Sequence, residues 1–167
     1  MSFQSPRHMI TPPSKDSPHI HEDKLENILT AHQKWLQSGG KEGQRADLDG
    51  VILRGINLKG VNLRRANLTL ACLEGANLEN ADLQECTLIL ASLKEANLAN
   101  AKLQGANLDS SKLQAANLQR ANLSAANLEW SDLSCANLYQ ANLCGANLSN
   151  ANFNGAKGLI AKQKANL

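Results

Sequence analysis

The sequence predicts an all-β solenoid wound as a square coil, with a short N-terminal capping α-helix at its first end. Three observations carry this expectation. A leucine stands at 48, 53, 58 and every fifth position on to Leu148, and Phe153 takes the twenty-second place. Two residues before each of these stands alanine, except at Val51, Ile56, Val61, Cys86, Ser111 and Ser131. The register runs from Ala46 to Gly155 without an insertion, and internal repetition of this kind decides a fold before any other feature does.

A period of five fits neither regular element. On an α-helix each step of five turns the side chain by roughly 140°, which spreads the leucines around the whole circumference. In a flat strand an odd period sends successive leucines to opposite faces. Both leave a regular set of leucines in water. A chain that turns a corner within each repeat keeps every leucine and its alanine inside. Four corners close a square coil, and stacked coils pair their backbones at roughly 4.8 Å. The narrow interior explains alanine, and asparagine before the leucine can bond its own backbone and form ladders along the stack. Twenty-two repeats at four per coil make 5.5 coils, a body roughly 26 Å long.

The Ala-Asn-Leu triplets at 66–68, 76–78, 96–98, 106–108 and 116–118 resemble the pentapeptide repeat family. That resemblance implies a right-handed quadrilateral β-helix over 46–155. It implies a shape more than a function, because one fold hosts many roles.

Twenty residues per coil places residues 20 apart in one column. Arg54 then stands over Glu74, Lys59 over Glu79 and Arg65 over Glu85, with Lys94 following Glu74. Opposite charges alternate as stacked neighbours should.

Residues 1–22 hold all four prolines and read as a disordered lead-in. They contain no apolar run of seven or more, so neither a secretory leader nor a bilayer-spanning segment is expected. His8, His19 and His21 lack a fourth spaced ligand, so no metal site is expected. The pattern turns helical over 23–40. Leu25, Ile28, Leu29, His32 and Leu36 share one face with Trp35 at its edge, Asp23 stands at the N-cap, and Gly39-Gly40 supplies a stop. Such a helix fits the open end of the first coil, where Val51, Ile56 and Val61 are bulkier than alanine. His32, Trp35-Leu36, Ser38-Gly39 and Gly43 leading into Arg45-Ala46-Asp47-Leu48 also resemble the lead-in of many bacterial members of the family. Residues 156–167 form a basic tail. There Ala156-Lys157-Gly158-Leu159 slips the register by one, and Ala165-Asn166-Leu167 reads either as a returning half-coil or as the edge of a longer array.

The four cysteines fall in separate columns, which predicts neither disulfide nor zinc site and suits a reducing cytoplasm. No catalytic constellation emerges. The repeat body has no histidine, so serine or cysteine nucleophiles have no base within it. Asp132 and Glu129 read as solvated surface carboxylates on adjoining sides rather than an acid/base pair. No cofactor-binding motif is present, and the chain is expected to be no enzyme. Residues 46–155 hold eight basic and ten acidic residues, which gives no basic groove for nucleic acid.

One column stands apart. Positions twenty apart from Gly50 are Leu70, Leu90, Ser110, Trp130 and Asn150, and Ile89 precedes Leu90. Leu70, Ile89, Leu90 and Trp130 form a candidate interaction patch for a protein partner or for self-association. The leading expectation is a non-enzymatic rod that presents a binding face. The family resemblance implies an alternative, because some members resemble a DNA duplex, bind DNA gyrase and confer quinolone resistance. Such mimicry needs a strongly negative surface, and those members favour phenylalanine at the central position. Here the body's net charge is −2 and leucine fills 21 of the 22 central places.

Overall fold

The structure is a computed structural model and describes residues 20–159. Its body is a coil. Isolated parallel bridges join each repeat to the one twenty residues later, from Asp47↔Asn67 through to Asn137↔Lys157. Each coil therefore holds four five-residue repeats, and each repeat contributes one bridged residue before the chain turns away.

The turn explains the repeat length. The carbonyl of Leu48 accepts a hydrogen bond from the N–H of Val51 at 3.2 Å. Between them Gly50 has φ of +63°, the pattern of a type II turn. Every fifth residue from 50 to 155 repeats this left-handed conformation, with φ between +55° and +71°. Fifteen of these 22 residues are not glycine. Four turns per coil define four corners, which we number from residues 49–50, 54–55, 59–60 and 64–65 with their equivalents twenty apart.

Backbone groups are satisfied along the stack. Leu58 N–H donates to the Asn77 carbonyl at 2.7 Å, and Asn77 N–H donates to the Ile56 carbonyl at 2.8 Å. The asparagines add the two bonds their short amides allow. Asn57 Oδ1 accepts from the backbone N–H of Lys59 at 3.2 Å and from Asn77 Nδ2 at 3.2 Å. Asn97, Asn117 and Asn137 extend this ladder at 3.0–3.3 Å. Side-chain amides thus fix the corner and the register together.

Inside, all twenty leucines at the central place of the repeats from Leu48 to Leu143 are buried, and alanine fills most of the second inward places. Cys86 is buried in that place with its thiol donating to the Leu63 carbonyl at 2.7 Å, and burial pushes its pKa up to about 12. Ser131 donates to the Leu128 carbonyl at 2.6 Å, whereas the buried hydroxyl of Ser111 has no partner.

Helix α1 spans Glu22–Gln37. Leu25 and Leu29 join the core cluster of the coil, and Ile20, Ile28, Val51 and Val61 pack against it. His32 lies between helix and coil, fully buried. Its Nδ1 accepts the backbone N–H of Ala46 at 3.0 Å, and its ring stacks on Trp35 with centroids 5.7 Å apart. Nε2 is buried without a hydrogen-bond partner among the described residues. Gly43 lets the connection pass the helix, since a Cβ there would stand 2.2 Å from the Ala31 carbonyl oxygen. Two sequence expectations are corrected here. The N-cap is His21 rather than Asp23, and it makes no side-chain cap bond. The His21 carbonyl already accepts the Leu25 N–H at 3.1 Å, so the helix starts at Glu22 and Asp23 falls inside the first turn.

At the other end pairing continues past Gly155. Lys157 bridges Asn137, and Leu138 N–H donates to the Lys157 carbonyl at 2.8 Å. Gly158 then occupies the leucine place with φ of +85°, and a Cβ on it would meet Tyr139 N at 2.4 Å. Leu159 packs against the core one place later. The histidines His8 and His19, most of the proline-rich lead-in and the end of the basic tail lie outside the described residues.

Candidate interaction face

The coil decides where the four patch residues stand. Leu70, Leu90 and Trp130 occupy the left-handed place of the first corner, with φ of +57°, +59° and +55°. A residue there points away from the coil axis, and these three side chains are 56%, 50% and 62% exposed. Ile89 precedes Leu90 in the same turn and is half-buried. Adjacent coils hold the corner in line, with Leu70 N–H donating to the Ile89 carbonyl at 2.9 Å and Leu90 N–H to the Asp109 carbonyl at 3.0 Å. Ser110 stands between Leu90 and Trp130, and its hydroxyl donates to Asp109 at 3.0 Å.

Left-handed φ is costly for a bulky side chain, on the order of 1–2 kcal/mol per residue. Elsewhere that place holds Gly, Asn, Ser, Ala, Cys, Gln or charged residues. Only the first corner places leucine and tryptophan there. The other exposed large side chain, Tyr139 at 54%, stands on the third corner, diagonally across the coil. Tyr139 shares no column with Leu70, Leu90 and Trp130, so the twenty-residue spacing does not mark it.

Charge is distributed unevenly. Arg54 pairs with Glu74 at 3.2 Å on the second corner and Lys59 with Glu79 at 2.9 Å on the third. On the fourth, Glu85 receives both Arg64 and Arg65, the latter at 2.7 Å. Hydrogen bonds from Arg64 first and Arg65 second hold the Glu85 carboxyl below the usual range. The column spacing of twenty thus brings together all three pairs it suggested. Lys94 makes no ion pair with Glu74, whose carboxylate takes the Ser92 hydroxyl at 2.9 Å instead. On the first corner the charged residues are Asp49, Asp109 and Glu129, and among the described residues no ion pair engages them.

Asp132 and Glu129 belong to the polar surface. For Asp132 burial works against ionisation but is outweighed by hydrogen bonds from Ser134, Gln114 and Asn152, and its pKa is lowered. Glu129 accepts from Asn147 Nδ2 at 3.3 Å. All four cysteines are free thiols. No group of three metal-ligating side chains occurs among the described residues, and no helix there is long and apolar enough to cross a membrane.

Coil, corners and ladders define a solenoid protein built from five-residue repeats. The chain belongs to the pentapeptide repeat family, whose profile, described as pentapeptide repeats, matches in 8 copies at residues 44–80, 76–120, 91–129 and 121–157. It is similar to alr5209, a pentapeptide repeat protein from Nostoc PCC 7120, at 26% identity, covering 89% of this chain and 95% of that one with a TM-score of 0.58. The pentapeptide repeat protein Rfr23 from the cyanobacterium Cyanothece 51142 is 33% identical over 66% of this chain and 82% of its own, with a TM-score of 0.42. QnrB1, a plasmid-mediated fluoroquinolone resistance protein, is 20% identical over 68% of each chain, with a TM-score of 0.37. Among curated proteins none matches. Proteins of this family are generally structural and interaction proteins.

Proposed function

We propose that this protein is a non-enzymatic rod, a right-handed quadrilateral β-helix whose first corner presents a protein–protein interaction face. One observation carries the reading: Leu70, Leu90 and Trp130 are each at least half exposed on a single corner. Ser110 interrupts the column, so the side chains do not bury one another. Covering a leucine or comparable side chain is worth roughly 1.5–3 kcal/mol, enough for several together to support a specific contact after association costs. Electrostatics do not favour the alternative of a gyrase-directed DNA mimic, since the first coil's arginines and lysine sit over carboxylates instead of leaving a continuous negative surface.

The test is Leu70→Asp/Leu90→Asp. Both side chains point outward, so the variant is expected to fold and to lose partner capture or self-association, read by pull-down and sedimentation. A folded variant that retains every association removes the interaction face; loss of gyrase binding by a Glu79→Gln/Glu85→Gln variant would support mimicry instead.

A further inference from the structure

We infer that the first corner takes an amphipathic α-helix of another protein, one whose apolar stripe is flanked by lysine or arginine. This rests on the reading of that corner as an interaction face, and it names the chemistry of the partner. Three features of the corner choose it.

The first is charge. Three corners carry basic side chains paired to carboxylates, whereas on the first, among the described residues, Asp49, Asp109 and Glu129 make no ion pair and the nearest cation in sequence, Lys112, stands on the adjoining side. Asp109 and Glu129 stand one residue before Ser110 and Trp130, in the same turns as the apolar column. An apolar ridge edged on one side by carboxylates that hold hydrogen bonds but no ion pair complements an apolar stripe edged by cations. A neutral or acidic stripe would leave the carboxylates dehydrated without a counter-charge.

The second is the backbone. At the corner the N–H groups of Leu70, Leu90, Ser110 and Trp130 already donate to the next coil. The ridge thus offers an incoming chain no free N–H donor. A strand laid along it would leave its own carbonyls unpaired against an apolar surface, which is costly. An α-helix brings its backbone already satisfied.

The third is spacing. Leu70, Leu90 and Trp130 lie one and three coils apart, roughly 4.8 and 14 Å along the axis. A helix lying along that axis returns its apolar stripe about every 5.4 Å. The mismatch grows to about 2 Å over three coils, which a tryptophan side chain spans.

Fluorescence anisotropy with synthetic helical peptides of about 18 residues tests the inference. One has a leucine stripe flanked by lysines, the second the same stripe flanked by glutamates, and the third the same lysines without the stripe. The folded wild-type chain is expected to bind the first and neither of the others, with affinity falling as salt rises. Leu70→Asn/Leu90→Asn keeps a residue that tolerates the left-handed turn and should weaken binding about tenfold or more. Asp109→Asn/Glu129→Gln should weaken it and flatten the salt dependence, while Tyr139→Asn on the opposite corner should change nothing. If the leucine variant loses binding but the carboxylate variant does not, or the glutamate peptide binds equally, the basic helix is wrong and the interaction face survives. If neither variant matters, both readings fail. Sedimentation showing a dimer that Leu70→Asn/Leu90→Asn dissociates would assign the corner to a second copy of this chain and overturn the inference.

Discussion

His32 in helix α1 accepts the backbone N–H of Ala46, the first residue of the coil, through Nδ1 at 3.0 Å. This bond fastens the helix to the solenoid, and it needs an unprotonated Nδ1. Burial lowers the His32 pKa below its ordinary value of 6.5, with the Arg45 charge adding to the effect. The neutral form is therefore favoured in the fold. Its contribution to stability is complete above the unfolded value and is lost as pH falls through the depressed folded value. Thermal melts at about pH 7.5 and about pH 5.5 should show a larger loss for the wild type than for His32→Ala, which has no imidazole to protonate. The variant itself should lose about 1–3 kcal/mol at neutral pH through its unpaired Ala46 N–H and the vacated space. Equal pH dependence in the two would contradict this role.

The left-handed corners predict opposite effects for two kinds of change. Gly75 has φ of +64° and nothing within 4 Å of the place a Cβ would take. Gly75→Ala should therefore destabilise by about 1 kcal/mol through backbone strain alone. Ala115 and Ala125 already bear that strain at φ of +56°, and changing either to glycine should stabilise by up to about 1 kcal/mol. Chemical denaturation of the single variants measures both.

Two buried serines separate a satisfied hydroxyl from an orphaned one. Ser131 has the Leu128 carbonyl, while Ser111 Oγ has no partner. Ser111→Ala should raise stability by about 1 kcal/mol, and Ser131→Ala should be near neutral or slightly destabilising. A loss at Ser111 as large as that at Ser131 would mean that the hydroxyl is paired.

Ala96 is fully buried in the narrow interior. Ala96→Leu should overpack the coil and cost about 1–3 kcal/mol or more, whereas Gln104→Leu on the outer surface should cost little. Equal melting temperatures would show that inside and outside are reversed.

Much of this architecture is legible in the chain because the repeat is strict. Five residues with one inward leucine force a corner per repeat, and the alternation of Arg54, Lys59 and Arg65 over Glu74, Glu79 and Glu85 exposes the twenty-residue coil. Other features were harder to read. The left-handed place carries leucine, arginine, glutamate and tryptophan as often as glycine, so no glycine signature marks it; its clearest signal is glycine or asparagine recurring at 50, 55, 60, 75, 80, 100 and 105. His32 looks like one more residue on the apolar face of α1, and only the fold brings Ala46 N–H to its ring. Lys94 shares the column of Glu74 without pairing with it, since the two oxygens of that carboxylate already hold Arg54 and the Ser92 hydroxyl. The candidate patch follows from the column, whereas Tyr139 and, among the described residues, the lack of ion pairs on the first corner emerge once all four corners are compared.

Leu88 and Leu90, two residues apart in the same turn, face opposite ways, one into the core and one away from it. Leu88 is fully buried and Leu90 is 50% exposed. Melting of Leu88→Asp and Leu90→Asp, followed by circular dichroism, tests this opposition most directly. Leu88→Asp places an unpaired carboxylate in the core and should lose several kcal/mol or fail to fold. Leu90→Asp should melt within a few degrees of the wild type. Equal destabilisation by the two, or a greater loss from Leu90→Asp, would contradict the account.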